Sequence, residues 1–370
     1  MTSDPRIFQI AMTMLPGVGD INAKSLIAHC GGAEAVFSQK KAALEKIPGI
    51  GSGTANKILG SSVLHQAEKE LTFVLKNNIQ LLYFLNTDFP KRLEHCADSP
   101  ILLYYKGKGD LNPDRALAIV GTRKASAHGK ENTTSFVGDL KKYNTTVISG
   151  LAYGIDITAH KASVDHQIPT IGVLAHGLDR VYPQLHVKIA QQMMEQGGLI
   201  TEFPSGTNPD AQNFPKRNRI IAGMADATIV VEAAEKGGAL ITADLAAGYN
   251  RDVFAFPGRI DDPLSAGCNK LIYLNKAAIL RSTKDLEFYL NWSEENSKVG
   301  KPAQSLLFVD ISAEEEPIAQ VLRKTGKAQI DIIASNAQLP ISKVVSILFN
   351  LELKGAVRTH PGKVYEWLAQ

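Results

Sequence analysis

The sequence predicts an α/β fold, with a doubly wound, mostly parallel sheet at its centre and a smaller, chiefly helical unit on either side. Three observations predict it. Between residues 115 and 282, short and nearly continuous apolar runs alternate with amphipathic stretches. Near the N-terminus, two glycine-containing turns recur about 32 residues apart. The last 60 or so residues read as three helices and a hairpin.

Residues 1–70 read as short helices separated by Gly and Pro. Leu15-Pro16-Gly17-Val18-Gly19 leads into an amphipathic stretch to Ile27, and Ile47-Pro48-Gly49-Ile50-Gly51 into one to Leu59. Self-similarity at a fixed period marks a duplicated motif. Two strand-like runs follow at 79–85 and 101–105, joined by a polar connection around Pro90. The central region, placed at 75–290, carries apolar runs at 116–120, 146–148, 170–174, 199–201, 228–231, 253–256 and 277–280. Continuous apolarity marks strands buried on both faces, hence a parallel sheet covered by helices. Helical patterns at about 126–142, 155–165, 186–196, 216–224 and 239–249 complete repeated βα units. The expectation is a Rossmann-like sheet. Residues 291–308, rich in Asn, Ser, Glu, Lys, Gly and Pro, read as a linker. In 309–370, helices at 313–324, 328–336 and 341–353 precede Gly355. Val357-Arg358 then pairs with Val364-Tyr365-Glu366-Trp367 across Pro361-Gly362. Three helices and a hairpin make a winged helix.

Composition narrows the function. The chain has 370 residues, 44% of them hydrophobic, enough for a sizeable core. Its formal charge of +3 is too small to imply a nucleic-acid partner, so that reading rests on local clusters. Cys30, Cys96 and Cys268 lie far apart without CxxC spacing, which disfavours a zinc site or a secreted disulfide scaffold. No apolar run approaches the roughly 18–20 residues of a membrane helix. The start lacks the order of a signal peptide, so a cytosolic location is expected. No metal and no cofactor is expected.

Four turns in the central region carry anion-binding chemistry. Val120-Gly121-Thr122-Arg123 follows a buried strand and precedes a helix. Such turns aim N–H groups and a helix N-terminus outward, and Arg123 adds a planar cation suited to phosphate. A lone Gly here is weak evidence, since most βα turns need one merely to turn. In Ser149-Gly150-Leu151-Ala152-Tyr153-Gly154-Ile155-Asp156, Ser149 offers a hydroxyl and Gly150 an unhindered backbone. Asp156 suits a helix start, and His160 lies one turn on. Capping and packing outweigh a catalytic Asp–His pair, because no nucleophile or metal-ligand set accompanies it. Phe214-Pro215-Lys216-Arg217-Asn218-Arg219 sets three cations and an Asn beside an aromatic, ahead of an apolar helix. Charge tracks a single strand's backbone while a ring stacks on any base. Cations are disfavoured at a helix N-terminus, so an incoming anion explains them better than a solvated helix start does. In Glu235-Lys236-Gly237-Gly238-Ala239-Leu240-Ile241-Thr242, paired glycines open a helix beside a lysine. The P-loop and dinucleotide spacings are both missing. Ligands of open parallel sheets bind outside the strands' carboxyl ends, so the four turns together describe a polyanion cleft.

In order along about 80–285, several strings resemble motifs of the bacterial DNA-processing protein A family (DprA, also called Smf). They are Ala118-Ile119-Val120-Gly121-Thr122-Arg123, the 147–156 turn, Gly177-Leu178-Asp179 with Tyr182-Pro183, the 213–223 run, and Pro257-Gly258 with Gly267-Cys268-Asn269. The resemblance implies a non-catalytic cytosolic protein that binds incoming single-stranded DNA during natural transformation. It further implies shielding of that DNA, loading of the RecA recombinase on it, and a homodimer formed through the Rossmann-like domain. The family's DNA-binding motifs map onto Gly121, Arg123, Ser149, Gly150, Phe214, Arg217, Asn218, Arg219, Lys236, Gly238 and Thr242, and Lys216 joins them from the same basic run. Two departures stand out. Gly237 and Ala239 replace both serines of the usual Lys-Ser-Gly-Ser-Leu-Ile-Thr-Ala, and His186 stands where an Asn is common.

The flanking units leave alternatives open. The N-terminal turns resemble helix-hairpin-helix motifs, which would make Gly17, Gly19, Gly49 and Gly51 secondary DNA contacts, with Lys24 and Lys57 adding charge; pure helix packing fits them equally. The third C-terminal helix is mostly apolar with only Lys343 and Lys354 basic, and the wing carries Arg358, His360 and Lys363. Protein contact suits it at least as well as DNA reading. The rival to DNA binding is a Rossmann-like nucleotide-binding or nucleotide-hydrolysing enzyme. Glu232 follows the right kind of strand for it, but the Pro-Gly-Gly-x-Gly-Thr loop of such enzymes is absent.

Overall fold

The run at 116–120 becomes strand β3 (Arg115–Val120), and every residue in it is buried. Its side chains alternate between two cores. Ala116, Ala118 and Val120 enter one with Ile220, Ile221 and Ala243, while Leu117 and Ile119 enter another with Phe136, Val137 and Ile155. A strand that must satisfy a helical layer on each face has no room for polar alternation. The computed structural model describes residues 4–292, 311–360 and 362–368. The linker placed at 291–308 therefore falls, from residue 293 on, outside the described residues.

Eight further strands complete the sheet: β1 (Gln80–Tyr83), β2 (Leu102–Gly107), β4 (Thr145–Ser149), β5 (Thr170–Val173), β6 (Gly198–Thr201), β7 (Ala227–Val230), β8 (Asp252–Ala255) and β9 (Ala278–Ile279). Their order is β1-β2-β6-β5-β4-β3-β7-β8-β9. From β6 to β9 neighbours run parallel; β1 and β2 join antiparallel. The chain winds outward from β3 in both directions, so the doubly wound expectation is met. The runs at 79–85 and 101–105 do more than link domains: they extend the sheet.

The N-terminal helices share a core with this extension. Ile10, Leu26, Val36, Ile58 and Leu71 pack with Ile101, Leu102 and Tyr104. The two glycine turns have matching geometry. Gly17 and Gly49 take φ of 78° and 82°, and Gly19 and Gly51 precede helices Asp20–Cys30 and Ser52–Leu59 in the same extended conformation. The duplication is thus real in three dimensions. At the C-terminal end, β11 (Val357–His360) and β12 (Val364–Trp367) form the expected wing, and β10 (Lys327–Gln329) adds a third strand that the sequence pattern hid. The wing residue Gly362 rests against the Arg251 guanidinium, and Gln329 donates to the His95 carbonyl (3.2 Å).

A buried ion cluster ties the N-terminal helices to the sheet. Arg219 bonds Asp20 (3.0 Å), Glu202 and the Asp98 carbonyl. Burial raises the Glu202 carboxyl to about 7, against the pull of Arg219. Folded Glu202 therefore holds a proton that the unfolded chain releases between pH 4.5 and about 7. Its contribution to stability grows as pH falls through that window and is flat above it. Urea midpoints of the parent and of Glu202→Gln should accordingly diverge in the parent's favour as pH drops from about 8 to about 5; parallel curves would refute the assignment.

Candidate nucleic-acid interface

The turns that follow β3, β4, β5, β7 and β8 all lie at the carboxyl edge of the parallel strands. Two of them cross in direct contact. Gly154 takes φ of 78°, and a Cβ there would lie 2.1 Å from the Thr122 carbonyl oxygen, so only glycine allows the β4 turn to ride over the β3 turn. The Ile155 N–H then donates to that same oxygen (3.2 Å). Arg123 projects from the crossing, exposed, its guanidinium 4.8 Å from the centroid of the Phe214 ring. Phe214 and Lys216 belong to the first turn of helix Asn213–Gly223. A cation stacked on an aromatic face leaves the guanidinium edge and the remaining ring surface for a ligand.

Beneath this pair lies a buried charge system. Arg217 is 3% exposed and donates through Nη1 to the carbonyls of Gly150 and Val173, both at 2.6 Å. Burial pulls its pKa down to about 10, opposed by Asp156, so it stays cationic at neutral pH. Burial raises the Asp156 carboxyl, opposed by Arg217 and by N–H donation from Ala152 and Gly150. A Cβ at Gly150 would come within 2.1 Å of the Arg217 guanidinium, so this glycine serves the close approach rather than a free amide.

Several further assignments need correction. Ser149 is fully buried and its hydroxyl donates to the Ile119 carbonyl (2.6 Å). Thr242 is buried and donates to the Gly238 carbonyl (3.0 Å). Arg219 points away from the rim into the ion cluster. Successive helix positions turn about 100°, so Lys216, Arg217, Asn218 and Arg219 cannot all face one cleft. Lys24 is not a free charge either; it donates to Ser99 Oγ (2.7 Å), and burial lowers its pKa.

Other predicted residues do gather at the edge. Gly121 packs so tightly that a Cβ would fall 2.4 Å from Ile155 Cγ1. Asn218 reaches the Gly238 carbonyl (3.4 Å), joining the basic helix to the glycine turn. Lys236, Gly237 and Gly238 are exposed, and helix Gly238–Gly248 has no side-chain cap. Gly17, Gly19, Gly49 and Gly51 lie apart from these, on exposed turns of the N-terminal unit, where Lys57 and Asn22 of opposite copies approach Gly17 and Gly49.

A small pocket opens beside Arg123 and Phe214, lined also by Tyr153, His176 and Tyr182. Tyr153 and Tyr182 are half exposed, and neither was singled out from sequence as a contact. For Tyr153 the available signal was an aromatic inside a glycine-rich turn. His160 is no part of it: fully buried, it bonds Thr170 Oγ1 (2.8 Å), and burial drives it down to about 3. Glu232 closes the N-terminus of helix Ala127–Asp139 by accepting from the Ser126 amide (2.9 Å) and hydroxyl.

Fold and edge define a Rossmann-like α/β protein whose strand ends gather cations and aromatic rings around an open pocket. The family profile described as DNA recombination-mediator protein A matches residues 80–290, and that of the DprA winged helix domain matches 302–363. The chain belongs to the DprA/Smf family. Protein Smf of Synechocystis is 30% identical over 99% of this chain and 100% of its own length. Protein Smf of Escherichia coli is 35% identical over 80% and 79%. Among solved structures, DprA from Streptococcus pneumoniae matches with a TM-score of 0.63 at 28% identity, over 76% of this chain and 97% of that one. DprA from Helicobacter pylori, described for its single-stranded DNA binding mode, matches with 0.53 at 27%, over 58% and 97%.

The two arginines should behave differently. Arg217→Met leaves the buried Gly150 and Val173 carbonyls without their donor and should cost about 1–3 kcal/mol for each. Arg123→Ala, at the surface, should stay within about 0.5 kcal/mol of the parent. Urea denaturation at neutral pH measures both.

Proposed function

We propose that the protein binds single-stranded DNA along the carboxyl edge of its sheet and acts, without catalysis, as a recombination mediator in the cytoplasm. One observation carries this reading: Arg123 stacked on Phe214 at the mouth of a pocket that also presents Tyr153 and Tyr182. A cation beside rings serves phosphate and base together, without needing a particular sequence. The single-stranded DNA binding named for the Helicobacter pylori relative supports it. RecA loading and a role in natural transformation belong to the same proposal. So does a homodimer, for which β9 offers a two-residue edge strand, with Ile279, Phe288 and Tyr289 exposed on it or close by in sequence. The hydrolase alternative is weakened by Glu232, whose carboxylate is engaged as a helix cap. Gly17, Gly19, Gly49 and Gly51 are proposed as secondary DNA contacts.

Fluorescence anisotropy with labelled oligo-thymidine tests the central claim, with AMP hydrolysis assayed alongside. Affinity should fall steeply with salt, and Arg123→Ala should weaken binding and flatten the log–log salt slope by about 0.7. Phe214→Ala should cost about 1–3 kcal/mol for each base it stacks. Parent-like binding by both variants, or nucleotide turnover without oligonucleotide affinity, would overturn the reading. In sedimentation, Phe288→Glu should shift a dimer toward monomer; an unchanged dimer would place its interface elsewhere.

A further inference from the structure

In the loop after β5, His176 and Tyr182 line the pocket, whereas Gly177 and Asp179 between them do not. A carboxylate three residues along from His176 repels a polyanion by charge alone, so Asp179 is there for another reason. Its Oδ1 accepts from the Gly206 amide (3.0 Å), and Arg180 beside it donates to Asn208 Oδ1 (2.9 Å). The Gly177 N–H donates to the Thr207 carbonyl (3.3 Å), and a Cβ at Gly177 would lie 2.5 Å from the Pro204 carbonyl oxygen. The β5 loop is thus pressed and bonded along the turn after β6. That turn has a second brace, from the N-terminal unit. Glu70, on helix Val63–Lys76 and 4% exposed, accepts from the Ser205 amide (2.9 Å) and from the Ser205 hydroxyl. A carboxylate that takes two donors from one residue fixes its orientation as well as its place.

The braced turn leads straight to the site. Asn213 opens helix Asn213–Gly223 and donates through Nδ2 to the Asn208 carbonyl (3.1 Å) and through its amide to the Asp210 carbonyl (2.9 Å). Phe214, whose ring stacks with Arg123, is the next residue. We infer that Asp179 and Glu70 are positioning residues for single-strand binding. They touch no DNA; through the turn at 204–208 they set the Phe214 ring against Arg123. The inference rests on the proposed function and deepens it, because Glu70 makes the N-terminal unit part of the edge's working order. A ring on a loose turn would have to be ordered when the strand arrives, and that ordering subtracts from affinity.

Charge and hydrogen bonding pull in opposite directions here, which makes the test selective. Asp179→Asn removes the charge and keeps the Oδ1 acceptor, whereas Asp179→Ala removes both. In anisotropy with labelled oligo-thymidine and the full chain, Asp179→Ala should weaken binding roughly 5-fold. Asp179→Asn should bind as tightly as the parent or more tightly. Glu70→Gln should also match the parent, since its carboxamide can serve both the Ser205 amide and hydroxyl, while Glu70→Ala should lose affinity as Asp179→Ala does. The log–log salt slope should stay at the parent value in the weakened variants, because no phosphate contact is lost. In a Phe214→Ala background, Asp179→Ala should cost nothing further, as expected of two residues acting through one contact. Urea midpoints confine the comparison to folded protein, and the exposed Asp179 carries the test if Glu70→Ala does not fold. Equal affinities for Asp179→Ala and Asp179→Asn overturn the inference. So does a 5-fold loss that persists without the Phe214 ring. If the parent itself binds no oligo-thymidine, the proposed function fails and this inference with it.

Discussion

The buried Arg217 guanidinium is the constraint on which the edge depends. Two backbone carbonyls from adjacent strand ends, at Gly150 and Val173, converge on its Nη1, both at 2.6 Å. The same guanidinium lies 5.9 Å from the centroid of the Phe214 ring. The surface cation, Arg123, then inherits a fixed stage. A buried, hydrogen-bonded guanidinium of this kind fixes geometry, and here the geometry is what a ligand meets.

Much of this was legible in the sequence. Strand and helix positions in the central unit followed from continuous apolar runs, because burial on both faces leaves a strong one-dimensional signal. Turn chemistry was legible as well: Gly121, Arg123, Phe214, Lys236 and Gly238 all reach the carboxyl edge. Side-chain direction was not. Arg217 and Arg219 sit two residues apart in one basic run, yet one lies beneath the cleft and the other joins the N-terminal helices. Nothing in composition separates them, since only the tertiary partners Gly150 and Asp20 decide which way each turns. Ser149 and Thr242 misled for a related reason. A hydroxyl at a strand end or in a helix can bond its own backbone as readily as a ligand. Short edge elements such as β10 went unseen because three residues carry no period.

The winged helix illustrates how far a fold name reaches. Its third helix, Ile341–Leu353, exposes Ile341, Val345, Phe349 and Leu353, four residues apart along one stripe. Lys354 is paired with Glu315 (2.7 Å), His360 with Glu366 (2.7 Å), and Gly362 lies on Arg251. A helix that reads a major groove carries polar and basic side chains on its outer face, whereas this one is greasy and its wing leans on the central sheet.

Asp20 and Arg219 meet across 199 positions of chain. A ribosome that has just released the first seventy residues has made helices whose hydrophobic floor, Ile101 to Tyr104, and whose ionic latch do not yet exist. The opening segment must therefore wait, loosely organised, for more than half of the polypeptide to be synthesised before it can lock. Contacts of such long reach slow the final step of folding. They also make the N-terminal helices the part of the molecule whose correct closure reports that the rest has been built.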